Sequence, residues 1–320
     1  MINTAIMIKV LAVIVFATIF LSSPLLQPAL ANKQFDIYKV PIQKAAVGDI
    51  NIAYKKFGNG TNTILLISGG SNTMNFWDPY LLSQLVKNNT VIVFDSRGIG
   101  NTSSGEKPFS IKQFANDTAA LLDAIGVTTK VDVLGFSLGS LVAQEVAYMH
   151  QDKVNRLILY GSMCGGKDAV PPSPVLQNFT NALQDPVRTN STADVETYGV
   201  LDDVLFPIDW MQENPGYMTM IPRQGVSINA ADATKLLGAF TNWTQTESCN
   251  KLSTIKVPTL VIVGTKDLVT VPQNSLNLVN GILGAWLIQI DGGGHGVMFQ
   301  YPKAFANAVQ LFLESSAPTQ

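Results

Sequence analysis

The residues best suited to chemistry begin with a serine in the sequence Gly-Phe-Ser-Leu-Gly at 135–139. This serine, Ser137, follows the apolar run 131–134 and precedes a helix-like stretch. G-x-S-x-G between a strand and a helix forms a nucleophile elbow, a turn so tight that glycines must flank the serine. We therefore predict that Ser137 is a nucleophile and that the backbone N–H of Leu138 points at a developing oxyanion.

A serine hydroxyl needs a base, and the base needs a group that orients it. The chain has two histidines. His150 ends the predicted helix that starts beside Ser137, about 18 Å away at the rise of an α-helix, and suits a cation at a helix C-terminus. His295 follows the last predicted strand inside the glycine-rich loop 291–296. These positions favour His295 as the base.

The orienting acid is predicted to be Asp267, just beyond the predicted strand 259–264. A carboxylate there can accept the imidazole Nδ1–H and hold the reactive tautomer. Asp291, four residues before His295, and Asp95, at the end of its own strand, are the competing candidates. The chain order serine, aspartate, histidine accompanies this kind of elbow and favours Asp267.

Short apolar runs alternate with helix-like stretches along most of the chain, which predicts an α/β fold with a mostly parallel central sheet flanked by helices. Several runs are apolar at every position, as a sheet covered on both faces requires. The predicted strands are 50–54, 63–68, 90–95, 131–135, 157–160, 259–264 and 286–290, and the predicted helices are 77–87, 111–125, 138–150, 273–280 and 302–314.

Residues 166–252 interrupt this alternation with seven prolines and no run typical of a buried strand. Amphipathic pieces at 175–183 and 231–240 indicate short helices. We predict a mainly helical cap insertion at 166–252, between core segments at 32–165 and 253–320.

The first 31 residues are predicted to be a signal peptide. Lys9 precedes the apolar run 10–21, and Ala29-Leu30-Ala31 forms a cleavage signal. The run is shorter than the roughly 20 residues that span a bilayer. We expect an exported protein, secreted or held at the cell surface or in a periplasm-like compartment, without stable membrane insertion after cleavage. An uncleaved signal anchor that tethers the protein to the membrane is the alternative.

With these motifs in order, the chain resembles the α/β-hydrolase superfamily over residues 36–316, in its capped esterase, haloperoxidase and C–C hydrolase-like branch. Asp-Ser-Arg-Gly-Ile-Gly-Asn-Thr at 95–102 is similar to the family's D-x-R-G-x-G-x-S motif. Ser68 stands where the family usually has histidine in a His-Gly-x motif. By position, the resemblance makes the N–H of Gly70 the second oxyanion donor, with Ser71 as the alternative.

Composition limits the substrate class. Charged residues make up 14% of the chain and the net charge is -2, which excludes the basic footprint of a nucleic-acid-binding protein. No cluster of arginine or lysine demands an acidic substrate, so we expect a small-molecule carboxylic ester, small or medium in size and neutral to apolar, cleaved through an acyl-enzyme. Ligand pockets are mostly apolar, and the predicted pocket residues are Ser71, Asn72, Trp77, Phe136, Trp210 and Met298.

Two other functions remain open. The same triad could perform cofactor-free perhydrolase or haloperoxidase chemistry, or hydrolyse C–C or peptide bonds. The altered motif at Ser68 could also indicate a ligand-binding or sensor protein with little turnover.

Cys164 and Cys249 lie at the two ends of the predicted cap, and an exported chain with an even cysteine count can form a disulfide. We predict that they are paired. The histidines and cysteines offer no ligand-spaced cluster, so we expect neither a metal nor another cofactor. The sequence does not determine the oligomeric state.

Overall fold

One sheet of eight strands organises the part of the chain that the computed structural model describes, residues 35–174, 205–222 and 228–315. The strands are β1 (Gln43–Val47), β2 (Ile50–Phe57), β3 (Asn62–Ile67), β4 (Asn89–Phe94), β5 (Val131–Phe136), β6 (Val154–Tyr160), β7 (Thr259–Gly264) and β8 (Trp286–Ile290).

The strand order is β1-β2-β4-β3-β5-β6-β7-β8. All neighbours from β4 to β8 pair in parallel, whereas β1 pairs with β2, and β2 with β4, in the antiparallel sense. Parallel strands need crossover connections, and helices supply them. The predicted α/β class with a mostly parallel sheet is confirmed.

Helices cover both faces of the sheet. The helices are α1 (Pro79–Leu85), α2 (Ile111–Ala124), α3 (Leu138–Met149), α4 (Ile208–Glu213), α5 (Ala230–Thr244), α6 (Pro272–Gly281), α7 (Val297–Gln300) and α8 (Pro302–Glu314). Successive strand residues point to opposite faces, so Leu65 joins the core beneath α2 and α3, whereas Leu66 joins the core beneath α1 and α8. Burial on both faces explains why the strands are apolar at every position.

Two of the differences from the sequence predictions have identifiable reasons. Strand β1 was not predicted; it is an edge strand whose first two residues are exposed. Helix α1 begins at Pro79 instead of 77 because Asp78 caps it, accepting a hydrogen bond from the N–H of Leu81 at 2.8 Å, and proline suits the first helical position.

The described parts of the cap segment, residues 166–252, contain α4 and α5. Helix α5 matches the helix predicted at 231–240 but runs longer, and α4 was not predicted. The structure joins Cys164 to Cys249 in a disulfide, the pair that the sequence indicates. The amphipathic piece at 175–183 and the signal peptide at 1–31 lie outside the described residues. The domain boundaries stay a prediction.

Among the residues that the structure describes, no helix has the length and apolarity needed to cross a membrane.

Candidate active site

Ser137 occupies a strained turn between β5 and α3, with a φ of 52° and a ψ of -124°. A side chain is strained at positive φ, and such strain is found where function requires it. A Cβ on Gly139 would lie 2.2 Å from the carbonyl oxygen of Ile67, and a Cβ on Gly135 would lie 2.4 Å from that of Gly139. Both glycines of the motif are therefore needed for the turn to pack against β3 and α3.

Buried polar groups hold the turn from below. The hydroxyl of Ser140 bonds to the carbonyl oxygen of Ser137 at 2.5 Å and to the hydroxyl of Ser162 at 2.7 Å. The amide of Gln144 donates to the Ser162 hydroxyl at 3.1 Å. Ser140, Ser162 and Gln144 are completely buried, so this network fixes the backbone on which Ser137 stands. The Ser137 side chain itself is only partly covered.

Asp267 and His295 lie together at the ends of β7 and β8. Nδ1 of His295 is 2.8 Å from Oδ2 of Asp267. Oδ1 of Asp267 accepts the backbone N–H groups of Val269 and Thr270 at 2.8 and 2.9 Å, and Oδ2 accepts the Thr270 hydroxyl at 2.9 Å. An ionised carboxylate only accepts, so the tautomer that fits this contact has its proton on Nδ1 and a lone pair on Nε2.

The imidazole lies beside the elbow. A Cβ on Gly161 would come within 2.8 Å of Cε1 of His295, so glycine at this position makes room for the ring. The preceding residue, Tyr160, accepts the Ser137 N–H on its carbonyl oxygen at 2.9 Å and donates its hydroxyl to the carbonyl oxygen of His295. Phe136 packs against the ring with centroids 4.9 Å apart. The end of β6 thus connects the serine turn to the histidine loop.

Nε2 of His295 is buried and has no hydrogen-bond partner among the described residues, and therefore no bond to the Ser137 hydroxyl in this structure. Hydrogen bonds of catalytic groups are often long without substrate and tighten when it binds. A buried polar atom without a partner is costly, and this one belongs to a ring that packs against Phe136, the residue before Ser137.

The histidine loop is held from several sides. Gly293 accepts the N–H of Lys266 at 2.8 Å, and Gly294 donates its N–H to Oε1 of Gln300 at 2.6 Å. Gly296 donates its N–H to the carbonyl oxygen of Leu205, in the cap segment, at 2.7 Å. These bonds leave His295 little freedom to move away from Asp267.

The competing acids are engaged elsewhere. Asp291 accepts from the Thr265 hydroxyl at 3.0 Å. Asp95 accepts the N–H of Met74 at 2.7 Å and the N–H of Asn101 at 2.8 Å, and burial raises the pKa of its carboxyl group. Neither carboxylate is hydrogen-bonded to His295.

His150, the other histidine, caps the C-terminus of α3, with Nε2 3.0 Å from Oδ1 of Asn116. Burial lowers the pKa of its imidazole. The structure thus gives His150 a place on the surface of the α2–α3 layer, as its helix-end position indicates.

The loop after β3 carries the predicted oxyanion donor. A Cβ on Gly70 would lie 3.5 Å from Cδ1 of Leu138, so the two predicted donors are neighbours. Ser68, which stands where the family has histidine, donates its hydroxyl to the carbonyl oxygen of Thr73 at 3.3 Å. Ser71 has a φ of 63°. The hydroxyl of Ser68 therefore forms its hydrogen bond within this loop. The N–H of Gly70 is a backbone group, so it does not need a histidine side chain at position 68.

The predicted pocket residues divide into two groups. Ser71, Asn72 and Trp210 are partly buried, and the ring of Trp210 packs at a tilt against Phe206 with centroids 5.1 Å apart. Trp77, Phe136 and Met298 belong to the core beneath α1 and α8 and have almost no exposed surface. Whether any of the six contacts a ligand stays a prediction.

Sequence reasoning missed four groups that shape the site. Thr270 and Gln300 hold the acid and the histidine loop. Leu205 and Leu236 bring the cap segment against the histidine loop and the loop after β3, respectively. Only Thr270 had a local signal, because it lies three residues after Asp267, within reach of an Asx-type turn. Among the described residues, no group of three or more histidine, cysteine, aspartate or glutamate side chains could hold a metal ion.

A family model described as the alpha/beta hydrolase fold matches residues 62–302. A Rhizobium rhizogenes protein provisionally named carbamate hydrolase RutD is 29% identical over 258 residues, which cover 79% of this chain and 93% of that protein. A Mycobacterium tuberculosis protein provisionally named non-heme bromoperoxidase BpoC is 26% identical over 274 residues, 83% of this chain and 98% of that protein.

Among solved structures, an alpha/beta hydrolase fold protein from Chitinophaga pinensis superposes with a TM-score of 0.73 at 24% identity. The match covers 87% of this chain and 98% of that chain.

Proposed function

This chain belongs to the alpha/beta hydrolase fold family, and we propose that it is a serine hydrolase acting on small or medium, neutral to apolar carboxylic esters. The hydrolase name of the Rhizobium rhizogenes relative supports this class of reaction. Ser137, His295 and Asp267 are the proposed triad. The observation that carries the proposal is His295, whose Nδ1 is bonded to Asp267 at 2.8 Å while its buried Nε2 has no partner.

In the first half of the reaction, the Ser137 oxygen attacks the ester carbonyl carbon and its proton passes to Nε2 of His295. The negative oxygen of the tetrahedral intermediate accepts hydrogen bonds from the N–H groups of Leu138 and Gly70. The intermediate collapses, the C–O bond to the alcohol breaks, and the alcohol leaves with the proton from Nε2. An acyl ester of Ser137 remains.

In the second half, water attacks the acyl carbon and gives its proton to Nε2. Collapse breaks the bond to the Ser137 oxygen, which takes that proton back, and the carboxylic acid leaves. Asp267 orients the ring and stabilises its positive charge in both halves.

A fluorophosphonate probe tests the proposal, because it reacts preferentially with an activated serine, losing fluoride and forming a phosphonate ester on the serine oxygen. We expect one adduct per chain, lost in Ser137→Ala and retained in Ser253→Ala, which removes the hydroxyl of an exposed residue in the 3-10 helix Ser248–Thr254. Absence of labelling on folded wild-type protein would overturn the proposal and favour a ligand-binding or sensor role.

A second candidate on the same triad is cofactor-free perhydrolase or haloperoxidase chemistry, and the similarity to a protein named as a non-heme bromoperoxidase supports testing it. An activity panel of p-nitrophenyl esters, peracid formation and aminoacyl substrates separates ester hydrolysis from perhydrolysis and from peptide-bond cleavage. If peracid formation exceeds ester hydrolysis at equal acyl group, the second candidate replaces the first.

A further inference from the structure

Helix α5 of the cap segment lies over the predicted oxyanion loop at one side chain, Leu236. A Cβ on Gly70 would lie 3.9 Å from Cδ2 of Leu236, as well as 3.5 Å from Cδ1 of Leu138. These are ordinary van der Waals distances. The space between Gly70 and these two side chains is therefore about one methyl group deep. Leu236, which limits this space from the side of the cap segment, is 5% exposed.

Helix α5, which carries Leu236, is attached to the rest of the fold near both ends of its buried face. The buried residues of α5 are Asp232, Leu236, Ala239 and Trp243, a spacing that puts them on a single face. Asp232 accepts a hydrogen bond from the Ser104 hydroxyl. Nε1–H of Trp243 donates to Oε1 of Glu145, on α3, at 2.9 Å. Leu236 lies between these two attachments on the same helix face, so both hold the backbone that carries it over Gly70.

A third attachment follows the helix. The disulfide joins Cys249, just after α5, to Cys164, just after β6, and the N–H of Gly166 donates to the carbonyl oxygen of Thr244 at 2.8 Å. Together with the two side-chain hydrogen bonds, these contacts hold α5 in position against the core.

The order of the strands indicates whether the acyl half or the alcohol half of an ester would lie beside Leu236. Gly70 follows β3, Ser137 follows β5, and Gly161, which contacts His295, follows β6. Strand β5 lies between β3 and β6, so Leu236 and the imidazole are on opposite sides of Ser137. The departing alcohol must receive its proton from His295 and therefore lies on the β6 side. The acyl group therefore lies on the β3 side of Ser137, where Leu236 is.

We infer that Leu236 is a specificity-determining residue that favours short acyl chains, such as acetyl, over long ones in the acyl half of the substrate. The inference rests on the proposed ester hydrolysis and adds the acyl-length class to it. The alcohol half is not limited by Leu236.

The test compares kcat/KM for p-nitrophenyl hexanoate with kcat/KM for p-nitrophenyl acetate. We expect Leu236→Ala to raise this hexanoate-to-acetate ratio by about tenfold, since methylene-sized changes in an apolar pocket are worth factors of this order. Leu236→Phe should lower the ratio. Leu237→Ala is the matched control on the same helix, because Leu237 is 54% exposed, and it should leave the ratio unchanged.

The ratio does not depend on how much of a sample is folded, so partial unfolding of Leu236→Ala does not mimic the result, and Leu236→Val replaces it if the alanine variant fails to fold. An unchanged ratio in an active variant overturns the inference. So does a shift confined to acetate esters that differ in the alcohol, such as phenyl and naphthyl acetate. If the wild-type protein neither hydrolyses esters nor reacts with the fluorophosphonate probe, the proposed function fails instead.

Discussion

The indole N–H of Trp243, in the cap segment, donates to the buried carboxylate of Glu145, on the helix that begins at the serine turn. Trp243→Phe keeps most of the apolar contact and leaves this carboxylate oxygen without its donor. We expect the free energy of unfolding to fall by about 1–3 kcal/mol, the cost of a buried unsatisfied polar group. Urea unfolding measures it.

Glu145→Gln supplies the control for this pair, because an amide oxygen can still accept from the indole and its own cost should be smaller. In the double variant, the two losses should fail to add by at least about 0.5 kcal/mol. Strict additivity would show that the hydrogen bond does not couple the cap segment to α3.

Asp267→Asn should lower kcat for ester hydrolysis by about 10⁴-fold, because an amide can favour the wrong imidazole tautomer. The measurement is steady-state kinetics with a p-nitrophenyl ester near neutral pH. A loss of less than tenfold would mean that another group orients His295.

Thr270 is expected to act as a positioning residue through Asp267. Thr270→Val removes the hydroxyl that donates to Oδ2 of Asp267 at 2.9 Å. We expect kcat to fall by about 10–100-fold, the value of a hydrogen bond to a charged group, with little change in KM. Thr270→Ser keeps the hydroxyl and should retain most of the wild-type kcat; equal losses in both variants would point to packing instead.

The disulfide is expected to stabilise the folded chain chiefly by restricting the unfolded one. Cys164 and Cys249 are separated by 85 positions, which corresponds to about 4–5 kcal/mol in the chain-entropy treatment. Replacing both with alanine should lower the free energy of unfolding by up to that amount. A reducing agent should lower the Tm of the wild-type protein and leave the double variant unaffected; the reverse pattern contradicts this account.

Asp78, the cap of α1, should make stability fall as the pH rises. Burial raises the pKa of its carboxyl group from 3.8 to about 6. The folded state therefore binds the proton more tightly, so its stability is greatest below the unfolded pKa of 3.8 and declines up to about pH 6. Asp78→Asn keeps a side-chain acceptor and removes the charge.

The advantage of Asp78→Asn over the wild type should grow from near zero at pH 4 to as much as about 3 kcal/mol at pH 7, at 1.36 kcal/mol per pKa unit. Urea unfolding at both pH values measures it. A difference that is the same at pH 4 and pH 7 would contradict the shift.

The sheet could be read from the sequence because its strands are buried on both faces. The run that forms β7 was predicted with its observed ends, and β3 differed by one residue at each end. Edge strand β1 and the four-residue helix α7 had no such signal. Neither buries an unbroken apolar run of its own, so tertiary contacts decide their conformation.

The candidate site also contains residues that the sequence predicted and one that it could not predict. Ser137, His295 and Asp267 could be proposed because each follows a predicted strand, and the carboxyl ends of parallel strands share one edge of the sheet. Leu236 could not, because nothing in a helix sequence states which residue of a distant loop it will face. Its role depends on the angle at which α5 crosses the core, which the contacts of Asp232 and Trp243 determine.

The two bonds accepted by Asp95 have a consequence for protein engineering. One carboxylate accepts from Met74, in the loop after β3, and from Asn101, in the loop after β4. A graft of either loop that displaces its N–H group would leave a carboxylate oxygen of Asp95 in the interior without that donor. The two loops form one exchangeable module, and libraries that vary them jointly should contain more folded members than libraries that vary them one at a time.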